Sequence, residues 1–206
     1  MTLTPVLTPV LQYPKAFIVP EGGSNQLALP GMGEVITELN EQIEYDYLLT
    51  PVGSGGTLAG LVRADNNQHK ILGVAVLKQQ GYLTNEVNAL LRDSAKFSNN
   101  WQILNQFHRG GYGKYKPEDA ARILQFSQAT GIPLEPVYSG KMILALLDLL
   151  DLLDLLDLLE QEYFEVGSKI MLLHTGGLQG LGGMAERSLI NPADWPVPEQ
   201  APTRNR

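Results

Sequence analysis

Pro51-Val-Gly-Ser-Gly-Gly-Thr-Leu-Ala-Gly-Leu61 is flanked upstream by Tyr45-Asp-Tyr-Leu-Leu-Thr50 and runs into Val62-Arg-Ala64 downstream. The upstream residues are aromatic, aliphatic and threonine, a composition that predicts a buried strand. Thr57 to Ala64 is rich in helix formers and predicts a helix that starts at the glycines. Glycines lack a Cβ, so successive backbone N–H groups between strand and helix are free to converge on one anion. Unpaired amides and the helix dipole both favour negative charge there, and Ser54 and Thr57 would add hydroxyl donors. Two readings follow from the residues alone: a phosphate cradle, or a tight strand-to-helix turn that binds nothing.

Two familiar phosphate loops are excluded. No lysine follows the glycines, so the nucleoside-triphosphate loop is absent. Gly53, Gly55 and Gly56 also miss the Gly-x-Gly-x-x-Gly spacing of dinucleotide folds. A phosphate-bearing cofactor of another kind remains.

The 206 residues suffice for one good-sized domain or a domain with part of another. A formal net charge of −7 argues against a nucleic-acid partner, which needs a basic face. With no cysteine there is no disulfide, thiolate metal site or cysteine nucleophile. His69, His108 and His174 are scattered without metal-ligand spacing, so no metal is expected. The N-terminus does not read as a signal peptide, and acids interrupt the leucine-rich run at 142–159, so no membrane span is expected. A cytoplasmic protein is the default.

Outward from the glycine turn, apolar Ala16 to Pro20 predicts a short strand, Met32 to Ile43 a helix, and Ile71 to Leu77 a strand buried on both faces. Helices are expected over Asn85–Lys96 and Pro117–Ala129, and a last strand over Lys169–His174. This alternation predicts an α/β fold with a mostly parallel sheet flanked by helices. Residues 1–14 read as an irregular tail containing a Leu-Thr-Pro-Val repeat, 15–187 as the α/β domain, and 188–206 as a loose tail. Leu146 to Leu159 repeats Leu-Leu-Asp, with aspartates at 148, 151, 154 and 157. A helix is expected, but a period of three slips by about 60° per repeat against the helical turn, so the aspartates spiral about the axis. A repeat expansion explains this better than a calcium site or coiled coil.

Five stretches, in order, carry a resemblance: Glu21-Gly-Gly-Ser-Asn25, Gly53-Ser-Gly-Gly-Thr57, Gly111-Tyr-Gly113, Glu135-Pro-Val-Tyr-Ser-Gly-Lys141 and His174-Thr-Gly-Gly177. Together, from about Tyr13 to about Arg187, the chain resembles the 1-aminocyclopropane-1-carboxylate deaminase and D-cysteine desulfhydrase family, pyridoxal-phosphate enzymes of the tryptophan synthase β-like fold. The resemblance implies that Gly53, Ser54, Gly55, Gly56 and Thr57 hold the cofactor phosphate and that Ser139 meets the pyridine nitrogen. It implies Tyr138 against the ring and substrate, Tyr112 as an acid/base or positioning group, and Thr175 on the substrate side. The structural alternatives are a turn aromatic at Tyr112 and a packed strand-end aromatic at Tyr138. His174 reads as a strand-end core residue, and Lys141 as paired with a helix end or an acid. Ring-opening members carry Glu and Leu where this chain has Ser139 and Thr175, and the D-cysteine desulfhydrase type carries hydroxyls. A hydroxyl makes the ring a weaker electron sink than a carboxylate does. The pair therefore leans towards β-elimination from D-cysteine, giving pyruvate, ammonia and hydrogen sulfide.

The same resemblance exposes two departures. The family's Schiff-base lysine lies well before the Glu-Gly-Gly-Ser-Asn segment, in a Gly-Asn-Lys context, and is followed by a Ser-Asn-His/Gln stretch. None of the eight lysines here has that context. The chain is therefore expected to be catalytically incomplete, active on a small amino-acid substrate only if another chain supplies the lysine; the partners expected are a second copy in a homodimer or a complementing N-terminal chain. The other reading is a non-catalytic remnant that binds pyridoxal phosphate or another phosphate ligand. Second, the 37 positions from Tyr138 to Thr175 exceed the family spacing by about nine, the length of three Leu-Leu-Asp units. Nine helical residues add about 13.5 Å and about half a turn of rotation, so a protruding helix or a distorted Tyr138–Thr175 geometry is expected.

Overall fold

The computed structural model describes residues 15–79, 81–92, 94–97, 100–156 and 164–195, and of residues 94, 95 and 152–156 the backbone alone. Four parallel strands form one sheet: β1 (Tyr47–Val52), β2 (Lys70–Ala75), β3 (Trp101–Leu104) and β4 (Ile170–Leu172), in the order β3-β2-β1-β4. The helices are α1 (Leu29–Gln42), α2 (Gly56–Asp65), α3 (Tyr82–Leu91), α4 (Pro117–Thr130), α5 (Ser139–Leu156) and α6 (Gly180–Glu186). The α/β class and the parallel sheet agree with the sequence.

β1 is buried along its whole length, because side chains alternate across a strand and both faces of this one are covered. Tyr47 and Leu49 join a core with Leu72 and Val74 of β2, Ile123 of α4 and the first three turns of α5. Leu48 and Val52 join the opposite core, with Ile71 and Ala75 and with α1, α2 and α3. Pro51 sits inside this central strand without breaking it. The N–H and C=O of Tyr47 and Leu49 face β4, and β4 stops opposite Leu49. The missing N–H of Pro51 thus falls where no strand is left to receive it. Beyond that point β1 and the chain leaving β4 part.

Several expectations are corrected. Residues 16–20 form no strand: Phe17, Ile18 and Val19 are 69%, 54% and 67% exposed, with no neighbouring strand to pair with among the described residues. The helix expected at 85–96 is α3, which starts at Tyr82 and ends at Leu91. A 3₁₀ turn over Ser94–Phe97 follows. β3 was not foreseen; four residues are too few to show a period. The stretch after Arg187 is no loose tail as far as it is described: Ile190 and Trp195 are buried in the α4–α5 core, and Tyr115 Oη donates to Leu189 O at 2.8 Å. Residues 1–14 and 196–206 lie outside the described residues.

The Leu-Leu-Asp repeat is helical through Leu156; the aspartate at 157 lies outside the described residues, as does the side chain of Asp154. Asp148 bridges Arg109 (2.5 Å) and Arg122 (2.6 Å), and Asp151 meets Arg122 at 3.0 Å. The repeat is therefore tied to α4 and to the loop before it. No described helix is long and apolar enough to cross a membrane.

Gly73, in the middle of β2, has no room for a side chain. A Cβ there would stand 2.6 Å from Val52 Cγ2 and 2.7 Å from Leu58 Cδ2. Gly73→Ala is expected to destabilise the fold by about 1–3 kcal/mol, the usual range for overpacking, as measured by urea denaturation.

Candidate cofactor site

After Val52 the chain turns through Gly53, Ser54 and Gly55 and enters α2. Gly55 is left-handed, with φ of 87°, and a Cβ on it would stand 3.0 Å from Val87 Cγ2. Glycine is required here on both counts. The amide of Gly56 donates to Ser24 Oγ at 3.1 Å, and that of Ala59 to Gly55 O at 2.9 Å. The amides of Ser54, Gly55, Thr57 and Leu58 have no protein acceptor among the described residues. They are the orphan donors of a helix N-terminus, and α2 supplies no side-chain cap for them.

These amides border a cleft of about 290 Å³. Tyr138, Thr175, Gly176 and Gly177 also line it. A second cavity of about 650 Å³ adjoins it, sharing Gly22, Ser24, Gly53, Ser54 and Tyr138 and adding Tyr112, Glu21, Tyr82 and Glu86. The strand order explains the location. From β1 the chain passes to β2 and β3 on one side, and then crosses to β4 on the other. The crevice beyond the carboxyl ends of β1 and β4 is thus the topological switch point, where parallel sheets bind ligands.

The start of α5 is arranged differently from that of α2. Glu135 is buried, and its carboxylate accepts from the amides of Val137 (2.6 Å), Tyr138 (2.8 Å) and Ser139 (2.6 Å). The Ser139 hydroxyl lies 3.1 Å from Glu135 Oε1 and also receives the Glu135 amide at 3.1 Å. Ser139 is therefore fully buried beside Glu135 and does not line either cavity. Tyr138, next to it, does. Its hydroxyl donates to Tyr112 Oη at 3.2 Å, and the two rings meet edge-on with centroids 5.9 Å apart. Burial and this hydrogen bond push the Tyr138 phenol well above the usual tyrosine range, so it stays protonated at neutral pH.

Of the candidate residues, Gly53, Ser54, Gly55, Gly56, Thr57, Tyr138 and Thr175 line one cleft, with Tyr112 at the adjoining cavity. Ser24 was not foreseen as part of the site. Its Oγ reaches both the Gly56 amide and, at 2.7 Å, Ser54 Oγ. Glu135 was likewise visible in its motif, but its role at the helix start was not. His174 is half-buried rather than core: Nε2–H donates to Pro133 O at 2.9 Å while Nδ1 accepts from the Gly176 amide at 3.1 Å. Lys141 pairs with neither a helix end nor an acid. It is fully buried and donates to the carbonyls of Gly111 (2.5 Å) and Val76 (3.3 Å). No lysine lines either cavity.

No family model matches the chain. A putative 1-aminocyclopropane-1-carboxylate deaminase of Pyrococcus horikoshii is 30% identical over 177 residues, covering 81% of this chain and 50% of the relative. The bifunctional D-cysteine desulfhydrase/1-aminocyclopropane-1-carboxylate deaminase of Arabidopsis thaliana is 29% identical over 194 residues, 88% of this chain and 46% of that protein. D-cysteine desulfhydrase of Klebsiella pneumoniae is 28% identical over 179 residues, 81% and 52% respectively. A crystal structure of an ACC deaminase homologue superposes with a TM-score of 0.70 at 27% identity, over 89% of this chain and 57% of that one.

Burial lowers the Lys141 amine to about 8, with Arg109 adding to the effect and the Glu135 and Asp119 carboxylates opposing it. Between about 8 and the ordinary 10.5 the unfolded chain holds a proton that the folded chain does not. Stability therefore rises with pH across that window. The stability of the wild type minus that of Lys141→Met is expected to grow from pH 8 to pH 10 in urea denaturation.

Proposed function

The chain is a relative of the 1-aminocyclopropane-1-carboxylate deaminase and D-cysteine desulfhydrase family that spans about half the length of the curated relatives it matches, and on that premise we propose that it is the pyridoxal-phosphate-binding portion of a lyase acting on small amino acids. One observation carries the proposal: four amides without a protein acceptor among the described residues lie at a helix N-terminus beside a cleft at the switch point of the sheet. The amides of Ser54, Gly55 and Thr57 would hold the phosphate, with the Ser54 and Thr57 hydroxyls beside them, and the dipole of α2 would favour its charge. Gly53 keeps the approach open, since a Cβ there would stand 3.2 Å from the Tyr138 ring. When bound, pyridoxal phosphate supplies an electron sink for charge developing at the substrate α-carbon.

Around that group, Tyr138 is a neutral phenol that lines the cleft and donates to Tyr112, and Tyr112 is the more exposed member able to exchange a proton with solvent. Thr175 offers a hydroxyl from the opposite wall. The Thr175 hydroxyl on the cleft wall supports D-cysteine over the cyclopropane substrate, whereas Ser139, engaged with Glu135 away from both cavities, does not bear on that choice. Elimination takes the α-proton and expels thiolate from the β-carbon, and one water completes the conversion to pyruvate, ammonia and hydrogen sulfide. The amine that the chemistry needs would come from a segment outside these 206 residues, such as a complementing chain. The second reading is a non-catalytic phosphate binder, favoured by the lack of any lysine lining the two cavities.

Titration with pyridoxal phosphate, followed by quenching of tryptophan fluorescence, tests the cradle. Ser54→Ala and Thr57→Val are each expected to weaken binding about 5–10-fold, the worth of one hydrogen bond. Thr57→Glu, which puts a carboxylate among the amides, is expected to abolish it. Binding that survives Thr57→Glu unchanged would remove the proposal. Borohydride treatment of the mixture is expected to label no lysine; stoichiometric labelling of one would overturn the view that the amine comes from elsewhere.

A further inference from the structure

Lys141 is among the buried polar side chains that the cofactor reading does not use. Lys141 lies in the first turn of α5 with no carboxylate within ion-pair distance among the described residues. A buried amine without a counter-charge is costly, so its two carbonyl contacts are what hold it in place. One contact is Val76 O, just beyond β2. The other is Gly111 O, in the turn that carries Tyr112.

That turn is also held at its start, where Arg109 meets Asp148 at 2.5 Å and Asp119 at 3.6 Å, but this leaves its middle to other contacts. Arg109, Gly110, Gly111 and Gly113 all have positive φ, at 54°, 94°, 115° and 66°. No regular ladder runs through such a segment; its own bonds are Gly110 N–H to His108 Nδ1 at 2.9 Å, Gly111 N–H to His108 O at 3.0 Å and Lys114 N–H to Gly111 O at 3.1 Å. Tyr112 is 58% exposed, and the interactions of its side chain are those with Tyr138. We propose that Lys141 is a positioning residue: by holding the Gly111 carbonyl from inside the core, it fixes the Gly-Tyr-Gly turn and so sets the Tyr112 hydroxyl against that of Tyr138. Lys141 touches neither cavity and acts on the site through Tyr112. The catalytic meaning of this contact rests on the cofactor reading above; the contact itself does not.

The test is nuclear magnetic resonance of protein labelled in tyrosine and phenylalanine rings. The wild type is expected to give ring-to-ring cross-peaks for Tyr112–Tyr138 and for Tyr47–Phe164, whose centroids are 4.9 Å apart in the core. Lys141→Met is expected to lose the first pair and keep the second, with pyridoxal phosphate affinity within about two-fold of wild type, less than one hydrogen bond's worth. Persistence of the Tyr112–Tyr138 cross-peaks in the folded variant would overturn the proposal. Loss of both pairs together would also overturn it, by making Lys141 a general packing group. Should Lys141→Met not fold, Lys141→Gln, one bond shorter and unable to span both carbonyls, is read by the same two pairs. Failure of the wild type to bind pyridoxal phosphate would remove the cofactor reading and leave the ring result standing.

Discussion

Two helix N-termini meet at the mouth of the sheet, and the chain treats them in opposite ways. At α5 the buried Glu135 carboxylate takes the amides of Val137, Tyr138 and Ser139, so the positive end of that helix already has its anion. Hydrogen bonds to a charged group are worth about 1.5–3 kcal/mol each, and three converge here. At α2 nothing comparable is present among the described residues: Ser24 serves one amide and four are left without an acceptor. A neutral hydroxyl on one amide leaves most of the local positive potential uncompensated. The difference between the two termini is that the strand-to-helix turn at α2 is left open to an anion while that at α5 is not.

The open terminus is usable because the sheet ends unevenly. β4 pairs with β1 only as far as Leu49, while β2 continues to pair with it up to Val52. Pro51 fits the step, having no N–H to offer an absent neighbour. The residues after β4 then swing away, and Thr175 to Gly177 become the far wall of the cleft. Gly177, with φ of 103°, passes so close to Glu135 that a Cβ would stand 3.1 Å from its Cγ. One carboxylate thus caps α5 and lies packed against that wall.

What could be read from the residues was whatever local pattern dictates. The β1–glycine–α2 unit, the doubly buried β2 and helices α4 and α5 follow from composition and period, and so does the cleft lining from Gly53 to Thr57. Failures arose where tertiary partners decide. Ala16 to Pro20 is as apolar as a strand, but it has no strand beside it, and β3 is a strand because β2 is there to pair with it. Trp195 follows a proline and polar stretch, yet it is buried because the α4–α5 core receives it. Ser24 and Glu135 sat in quoted motifs with no role, since a side-chain bond spanning 32 residues, or an acid turned back on its own helix start, has no periodic signature. Ser139 was placed by likeness; its hydroxyl is engaged with Glu135 inside the protein.

The Leu-Leu-Asp segment joins these strands of the argument. A three-residue period cannot hold one face inward, because each repeat rotates by about 60° relative to the last. Docking must therefore be settled by the first repeats, and it is: Leu146 and Leu149 are buried while Asp148 and Asp151 reach the arginines of neighbouring elements. Asp148 is the hinge of that arrangement, because Arg109, one of its two partners, opens the turn that carries Tyr112. The turn is gripped at one end by an acid of the repeat and in the middle by Lys141, both from α5. A helix that begins by placing Tyr138 in the cleft thus continues by holding the loop that brings Tyr112 to it.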